Sequence, residues 1–482
     1  MKEAYLDIDI GTGTTRAAVV SGKGDIVALK KIVTMFQAEP AIEGSGRFDP
    51  IEWKNDLFVL IKDTVAYAAG YRVVGVTSCS FREGIVLLDS CGEPLDGYMN
   101  SDRRGLPFME ELDWEVIWQE AGLYPSPIYS AVKMLGTRRL QPEVYNKIHT
   151  VTSVSDWIGY MLTGKLVWER AQAMHSCLYD PVLGDWSRRL CGIFGIDMAL
   201  LPPVFDAGVS LGEIPEDICI QMGLSLGAQY IVGTADTQSA LIGIGAEEGE
   251  LAVVSGTTSP VTRIIGGFEK YPMSWTSPGA EKGSFMLEVN TFSSGINTQR
   301  FKENLLPDRS YQELNSHGVQ AGIPRKNLPK IFAVFSPGGH LDSPAYTGGF
   351  IMPSPIAIDI CQEDFYHALT LNTALGIVMC IERHRAIKPF EGDCVIGCGN
   401  GFASPVLAQA IADLTGLKVA LYRHWNEATI YGMLLICKKG TGQESPKRVI
   451  EREYLPDCSE ELRKYYVRWQ SCRKTINDIE VN

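Results

Sequence analysis

Residues 7–16 read DIDIGTGTTR, two carboxylates on an apolar run, a Gly-Thr-Gly turn, two threonines and an arginine. Residues 253–263, VVSGTTSPVTR, repeat that order: an apolar β-branched run, Gly-Thr, small hydroxyl residues, then Arg. Loops of Gly, Thr and Ser at strand ends offer backbone N–H groups and hydroxyls at close range, which are the donors that phosphate oxygens need. One such loop can equally serve only to reverse a hairpin. Two near-copies, with a third glycine cluster in VIGCGNGFASPVLAQAIADLTG at 395–416, are hard to explain as plain turns. Neither GxxxxGK[ST] nor GxGxxG occurs, so the pattern is neither a Walker loop nor a dinucleotide fingerprint.

Working outward from the first loop, EAYLDIDIG reads as a strand, and TTRAAVVSGKGDIVALKKIVT as two more around a Gly-Lys-Gly turn. DPIEWKNDLFVLIKDTVAYAAG has apolar residues at helical spacing behind an Asp-Pro start, and YRVVGVTSCS is a short apolar strand. SDWIGYMLTG reads as a helix stopped by Gly164. The pattern restarts near Ile231 and Val232, with Gly233-Thr234-Ala235-Asp236, a small-residue helix, a strand and the second loop. Ser404, Pro405 and Gly416 suit the cap, first position and end of one helix, and NEATIYGMLLICKKG supplies another. Alternating strands and helices indicate an α/β protein. A chain of 482 residues exceeds one hydrophobic core, so two domains are expected, 1–244 and 245–440, with a charged tail, 441–482, packed as a surface helix.

The net charge of −13 and the lack of any long basic run exclude nucleic acid and an anionic membrane as partners. The 12 cysteines include no CxxC pair, and the seven histidines show no HxH or HxxxH spacing, so buried reduced thiols are expected rather than a metal centre. MKEAYLDIDIG carries acids where a signal peptide carries its apolar core, and no apolar run approaches a membrane span, so a cytoplasmic protein is expected.

Taken together, DIGTGTTR, GTADTQSALIGIGA, SGTTS, GCGNGFASPVLAQAIADLTG and EATIYG resemble the FGGY family of carbohydrate kinases over residues 5 to about 440. CSFREGIVLLDSCGEPLDG, NSDRR and SDWIGYMLTGKL are most similar to its autoinducer-2 kinase branch. The resemblance implies two ribonuclease-H-like domains of the actin, hexokinase and sugar-kinase superfamily. Each would be a mixed five-stranded sheet with helices on both faces, and the two would close across an interdomain cleft on ATP and a sugar or polyol. By the same resemblance Asp9 helps hold Mg²⁺, and Gly11, Thr12, Gly13, Thr14 and Arg16 form the first phosphate loop. Gly256, Thr257 and Thr258 form the second, Gly399, Asn400, Gly401 and Ser404 the adenosine loop, and Gln299 in INTQRFKE an adenine contact.

Asp236 matches the family's catalytic base, in GTADTQ where the family has a Gly-Gly-Asp-Gln type motif; as an isolated residue it would read as a helix N-cap. Arg82 and Glu83 match a substrate-binding Arg-Glu pair at the end of VVGVTSCS, with a surface ion pair as the alternative, and Asp102 in NSDRR an acid flanking the sugar. WERAQAMHS at 168–176 replaces the usual Asp-x-Ser-Asn-Ala, and FSPGGHLDSPAYTGGF lacks the Gly-Glu-Arg stretch of most sugar kinases. Xylulokinases carry Gln-Met-His-Gly in place of Arg-Glu, and Ile128 stands where glycerol kinases place a substrate-contacting Tyr. The expected activity is ATP-dependent phosphorylation of a terminal hydroxyl of a small linear substrate. Autoinducer-2 in its open dihydroxy-pentanedione form, a ketopentose and a polyol are the candidates. A non-catalytic sugar or nucleotide sensor of the same fold is the alternative, and a homodimer is compatible with either.

Overall fold

A computed structural model describes residues 1–279, 281–335, 347–444 and 446–476. Residues 336–346, most of the stretch noted for its missing Gly-Glu-Arg, lie outside the described residues. The chain forms two units: residues 1–243, 276–285 and 429–447 make the first, and 244–275, 286–428 and 448–482 the second. This division departs from simple cuts at 244 and 440. Two later segments return to the first unit, and the last 35 residues belong to the second.

In the first unit, β1 (Lys2–Ile10), β2 (Thr14–Ser21), β3 (Ile26–Val33), β4 (Tyr71–Ser80), β5 (Ser210–Glu213) and β6 (Gln229–Ile231) form one sheet in the order β5-β6-β4-β1-β2-β3. β1 runs antiparallel to β2 and parallel to β4, which runs parallel to β6, and β5 closes the edge antiparallel. The hairpin from β2 to β3 turns at Gly24, whose φ of +92° is open only to a residue without Cβ strain. Helix α1 (Pro50–Tyr67) starts at Asp49, whose carboxylate accepts from the N–H groups of Ile51 and Glu52, with Pro50 at its first position. Its buried residues Trp53, Leu57, Leu60 and Ile61 recur at helical spacing and pack on Leu6, Ile8, Ile10, Ala17 and Val19. Helix α2 (Val154–Thr163) adds Trp157, Ile158 and Leu162 to the same core and stops at left-handed Gly164. Leu57 is fully buried, so Leu57→Ala here would cost about 2–5 kcal/mol.

Successive side chains of a strand face opposite sides, so Asp7 and Asp9 share the other face of β1. That face carries Tyr5, Ala18, Val20, Cys79 and Ile231. It is covered by Ile430, Met433, Leu434 and Cys437, on a helix (Ala428–Gly440) that sequence order alone would assign to the other unit.

The second unit repeats the plan. β7 (Leu251–Val254), β8 (Thr258–Ile265), β9 (Phe285–Ser293), β10 (Cys394–Cys398), β11 (Lys418–Tyr422) and β12 (Ile450–Tyr454) run in the order β9-β8-β7-β10-β11-β12. β7 pairs antiparallel with β8 and parallel with β10, β11 follows parallel, and β12 closes antiparallel. Position by position this matches β3-β2-β1-β4-β6-β5, so each glycine loop joins equivalent strands. The first sheet thus has six strands and the second seven, rather than the expected five in each; the shared series of six includes the antiparallel edge strands β5 and β12.

The 26-residue helix Gln362–Ile387 is long and apolar enough to cross a membrane by length and composition. However, 83% of its apolar window is buried within the protein, which makes it a core helix. The tail is more than a surface helix. Its residues Ile450–Tyr454 extend the sheet, and on Glu460–Ile476 the buried Tyr465 and Trp469 donate to the carbonyls of Ile331 and Ala333 at 2.7 and 2.9 Å.

Candidate active site

The first loop turns tightly: Gly11 N–H donates to the Thr14 carbonyl at 3.0 Å, and Thr34 Oγ1 donates to the Gly11 carbonyl at 2.9 Å. Gly13 is exposed with no atom near its absent Cβ, so its backbone stays open to a ligand. Asp9 and Arg16 face each other across β1 and β2, and Arg16 Nε donates to Asp9 Oδ2 at 2.9 Å. The Cys79 thiol donates to Asp9 Oδ1 at 3.3 Å.

Asp236 reaches the same region because β6 closes hard against β4. A Cβ on Gly233 would lie 1.7 Å from the Ser78 carbonyl oxygen, so only glycine allows the approach that pairs Ala235 with Ser80. Asp236 then opens a helix (Asp236–Gly243), and its Oδ1 accepts the Thr237 N–H at 2.6 Å. Burial pushes its carboxyl up to about 6; Arg82 pulls the other way and Asp9 adds to the rise. A carboxylate so placed is a stronger proton acceptor than a solvated one. Gln238, two residues on, is buried, with Oε1 lacking a hydrogen-bond partner.

Arg82 and Glu83 follow β4 after one residue, Phe81. Glu83 has φ +65°, uncommon for a residue with a side chain, and is buried. Two residues absent from the expected set fix it. Lys133, fully buried, donates from Nζ to the carbonyls of Glu83 at 2.9 Å and Asn100 at 3.2 Å, and to that of Ile128. Burial pushes the Lys133 ammonium down to about 8, against the pull of Glu83 and Asp102. His175 Nδ1 lies 3.0 Å from Glu83 Oε1, and its Nε2 lies 3.3 Å from Arg82 Nη1. Burial would raise the Glu83 carboxyl, but the bond to His175 and the surrounding positive charges, Arg82 and Lys133 among them, hold the group below its ordinary value. Glu83 is therefore a carboxylate at neutral pH.

His175 sits at the end of a short helix (Arg170–Met174) capped by Glu169, whose Gln172 donates from Nε2 to Ser80 Oγ at 3.0 Å. Spacing gave no sign of His175, since its partners lie 92 and 93 residues away; the one available signal was the departure of WERAQAMHS from the family pattern.

Asp102 stands differently from the other acids. It is fully buried, and both oxygens are taken: Oδ2 by Gly46 N–H at 2.7 Å and Arg104 Nη2 at 3.0 Å, Oδ1 by the N–H and Nε of Arg104, each at 3.0 Å. Arg104 is itself buried, stacks on Tyr98 at 3.5 Å and donates to Glu39 at 2.6 Å.

In the second unit, the loop Gly256-Thr257-Thr258 is exposed and unobstructed at Gly256. The loop from Gly399 is keyed into it. Gly399 has φ +89°, and a Cβ there would lie 2.5 Å from the Ser255 carbonyl oxygen; a Cβ on Gly401 would lie 2.1 Å from Ser255 Oγ. Gly401 N–H donates to that carbonyl at 2.9 Å. Asn400 is exposed. Ser404 is the N-cap of the helix Pro405–Thr415 but makes no capping bond, and its buried Oγ lacks a partner. An orphaned hydroxyl beside a glycine cradle suits the hydroxyl and phosphate oxygens of a nucleotide. Gln299 is exposed on the helix Gly295–Leu305, donating to Glu303 at 2.9 Å. Among the described residues no group of three or more His, Cys, Asp or Glu gathers as a metal cage. Mg²⁺ in phosphoryl transfer needs only one or two carboxylates, water and substrate phosphate, so Asp9 fits that role.

Residues 4–243 match the FGGY family of carbohydrate kinases, N-terminal domain. A protein of Bacillus subtilis (strain 168) named as a sugar kinase, YoaC, is 32% identical over 487 residues, covering 99% of this chain and 98% of that one. An autoinducer-2 kinase of Salmonella paratyphi A (strain ATCC 9150 / SARB42) is 27% identical, covering 93% of this chain and 90% of that one. Among solved structures, xylulose kinase from Lactobacillus acidophilus aligns with a TM-score of 0.84 at 16% identity, over 98% of both chains. Plasmodium falciparum glycerol kinase with ADP aligns with a TM-score of 0.80 at 18% identity, over 100% of this chain and 99% of that one; these two likenesses concern the fold. With a glycine-loop hairpin in each of two matching sheets and a relative 32% identical along its whole length, the chain belongs to the FGGY family of carbohydrate kinases, enzymes that transfer phosphate from ATP to an alcohol group.

Proposed function

We propose that this kinase phosphorylates a terminal hydroxyl of a small linear polyhydroxy compound, with the open dihydroxy-pentanedione form of autoinducer-2 as first candidate. The observation that carries the reading is the half-site in the first unit, where the bridge between Ala235 and Ser80 sets Asp236, at the start of its helix, beside the end of β4 that leads to Arg82 and Glu83. Such a set offers a base for one hydroxyl and a fixed donor and acceptor for its neighbours. The autoinducer-2 kinase relatives, which align over nearly the whole chain, favour that acceptor over a ketopentose or a polyol.

In this reading Asp236 Oδ1 is oriented by the Thr237 N–H, and Oδ2 takes the proton of the attacking hydroxyl. The hydroxyl oxygen bonds to the γ-phosphorus as the bridge to the β-phosphate breaks, and ADP leaves. The backbone N–H groups and hydroxyls of Gly11, Thr12, Gly13 and Thr14, with Arg16, serve as phosphate donors, as do Gly256, Thr257 and Thr258. Gly399, Asn400, Gly401, Ser404 and Gln299 hold the adenosine. Asp9 would hold Mg²⁺, which when bound neutralises charge on the phosphates. For Asp102, with both oxygens engaged inside the protein, we assign the anchoring of Arg104 and Gly46 rather than direct substrate contact.

The test is ADP release from MgATP across dihydroxy-pentanedione, small ketoses and polyols, with Asp236→Asn in parallel. Turnover on one compound that the substitution abolishes supports the reading and names the acceptor. ATP binding without turnover on any compound would favour a non-catalytic sensor instead.

A further inference from the structure

We infer that His175 is a positioning residue of the acceptor half-site, a neutral imidazole protonated at Nδ1 that locks Arg82 and Glu83 into one rigid donor–acceptor pair. The kinetic part of this inference rests on the kinase reading above.

The tautomer follows from the two contacts. A guanidinium has donors only, so the ring nitrogen 3.3 Å from Arg82 Nη1 must accept. Nε2 therefore carries no proton. The one proton of the neutral ring then sits on Nδ1, 3.0 Å from Glu83 Oε1, and is donated to that carboxylate. An imidazolium would set N–H against N–H at Arg82, and the opposite tautomer would set lone pair against lone pair at Glu83. Only the Nδ1–H form satisfies both partners.

The ring is 4% exposed, so water cannot replace it in either bond. From the other side, Lys133 Nζ and Ser130 Oγ donate to the Glu83 carbonyl at 2.9 and 3.3 Å. Glu83 is thus fixed at both ends in a left-handed backbone conformation that few side-chain-bearing residues adopt. A substrate with oxygens on neighbouring carbons would meet donor and acceptor at a preset spacing. Loosening that spacing weakens acceptor binding. Nucleotide binding, which uses other residues, stays as it is.

The test compares His175→Gln with His175→Leu. One amide offers an N–H to Glu83 and a C=O to Arg82, as the imidazole does, whereas leucine offers neither. Kinetics use dihydroxy-pentanedione and, in parallel, D-xylulose, and imidazole ¹⁵N spectra are recorded on the resting enzyme at neutral pH. The expected spectrum has one Nδ1–H imidazole that is lost in both variants. His175→Leu should raise KM for the acceptor about ten- to a hundredfold, the range for a lost hydrogen bond to a charged group. KM for MgATP should stay unchanged, and His175→Gln should recover most of the loss. An Nε2–H or imidazolium signal for His175, or equal behaviour of the two variants, overturns the inference. If the parent enzyme turns over neither probe, the acceptor reading fails while the spectrum still decides the tautomer.

Discussion

The acid limb of turnover is a direct test of Asp236, because its environment sets a number. Burial pushes the carboxyl up to about 6 from the ordinary 3.8. The base works only when ionised, so activity must be lost as pH falls through that value. With a midpoint near 6, the group is almost wholly ionised at pH 7.5 and roughly one-tenth ionised at pH 5, so kcat/KM for the acceptor should drop about tenfold between the two. An unshifted aspartate would remain more than about nine-tenths ionised at pH 5 and leave the profile flat. Arg82 pulls the value down, so Arg82→Gln should move the limb to higher pH as well as weakening the acceptor. The assay is kcat/KM for the acceptor against pH, with enzyme stability checked at each pH by return to neutral. A flat profile from pH 7.5 to 5, or a limb that moves to lower pH in Arg82→Gln, would refute the assignment of Asp236 as a half-buried base tuned by Arg82.

Asp7 provides an independent check on the electrostatics of the sheet. Both of its oxygens are buried without a partner, and burial, with the nearby Asp9 charge, raises its carboxyl well above the ordinary value. An acid whose folded pKa is raised loses stability as pH rises from its unfolded value, so in metal-free buffer Asp7→Asn should gain over the parent by up to about 1.4 kcal/mol per pH unit above pH 4. Equal denaturation midpoints at pH 4 and 7 would contradict this. Asp102→Ala should leave the Arg104 guanidinium buried without its main partner and cost about 3–5 kcal/mol in urea unfolding; a fall in acceptor affinity without loss of stability would instead make Asp102 a substrate residue. Gly401→Ala drives a Cβ to 2.1 Å from Ser255 Oγ, so nucleotide affinity measured by calorimetry should fall while the acceptor half-site is untouched.

Much of the framework could be read from local pattern. Strands and loops around residues 7–16 and 253–263, the start of the first helix at Asp49-Pro50, and the stops at Gly164 and Gly416 are governed by neighbours in sequence. Both glycines indeed take left-handed φ, +71° and +70°. Asp236 stood out only through the resemblance of GTADTQ to the family motif; by local pattern alone an acid after a strand end reads as a helix N-cap. Lys133 and His175 were not, because their meaning lies in atoms 50 and 92 residues away on Glu83. For the same reason, no local rule assigns Ala428–Gly440 to the first unit. Its apolar residues need a cover, but the partner face belongs to strands made at the very start of the chain. Asp102 shows the converse limit: its motif was visible, while the saturation of its oxygens by Arg104 and Gly46 was not.

That late helix has a consequence for biogenesis. The face of the N-terminal sheet bearing Tyr5, Ala18, Val20 and Ile231 is complete once residue 231 has been made, yet its cover spans residues 428–440. At ribosomal rates of about 5–20 residues per second, the intervening roughly 200 residues take about 10–40 s. For that interval the nascent chain presents a bare apolar surface with a buried-type carboxyl, Asp7, in its midst. The waiting sheet is a natural client for a ribosome-associated chaperone, and a stalled or truncated chain ending before residue 428 would be prone to aggregation, even with its entire N-terminal half synthesised.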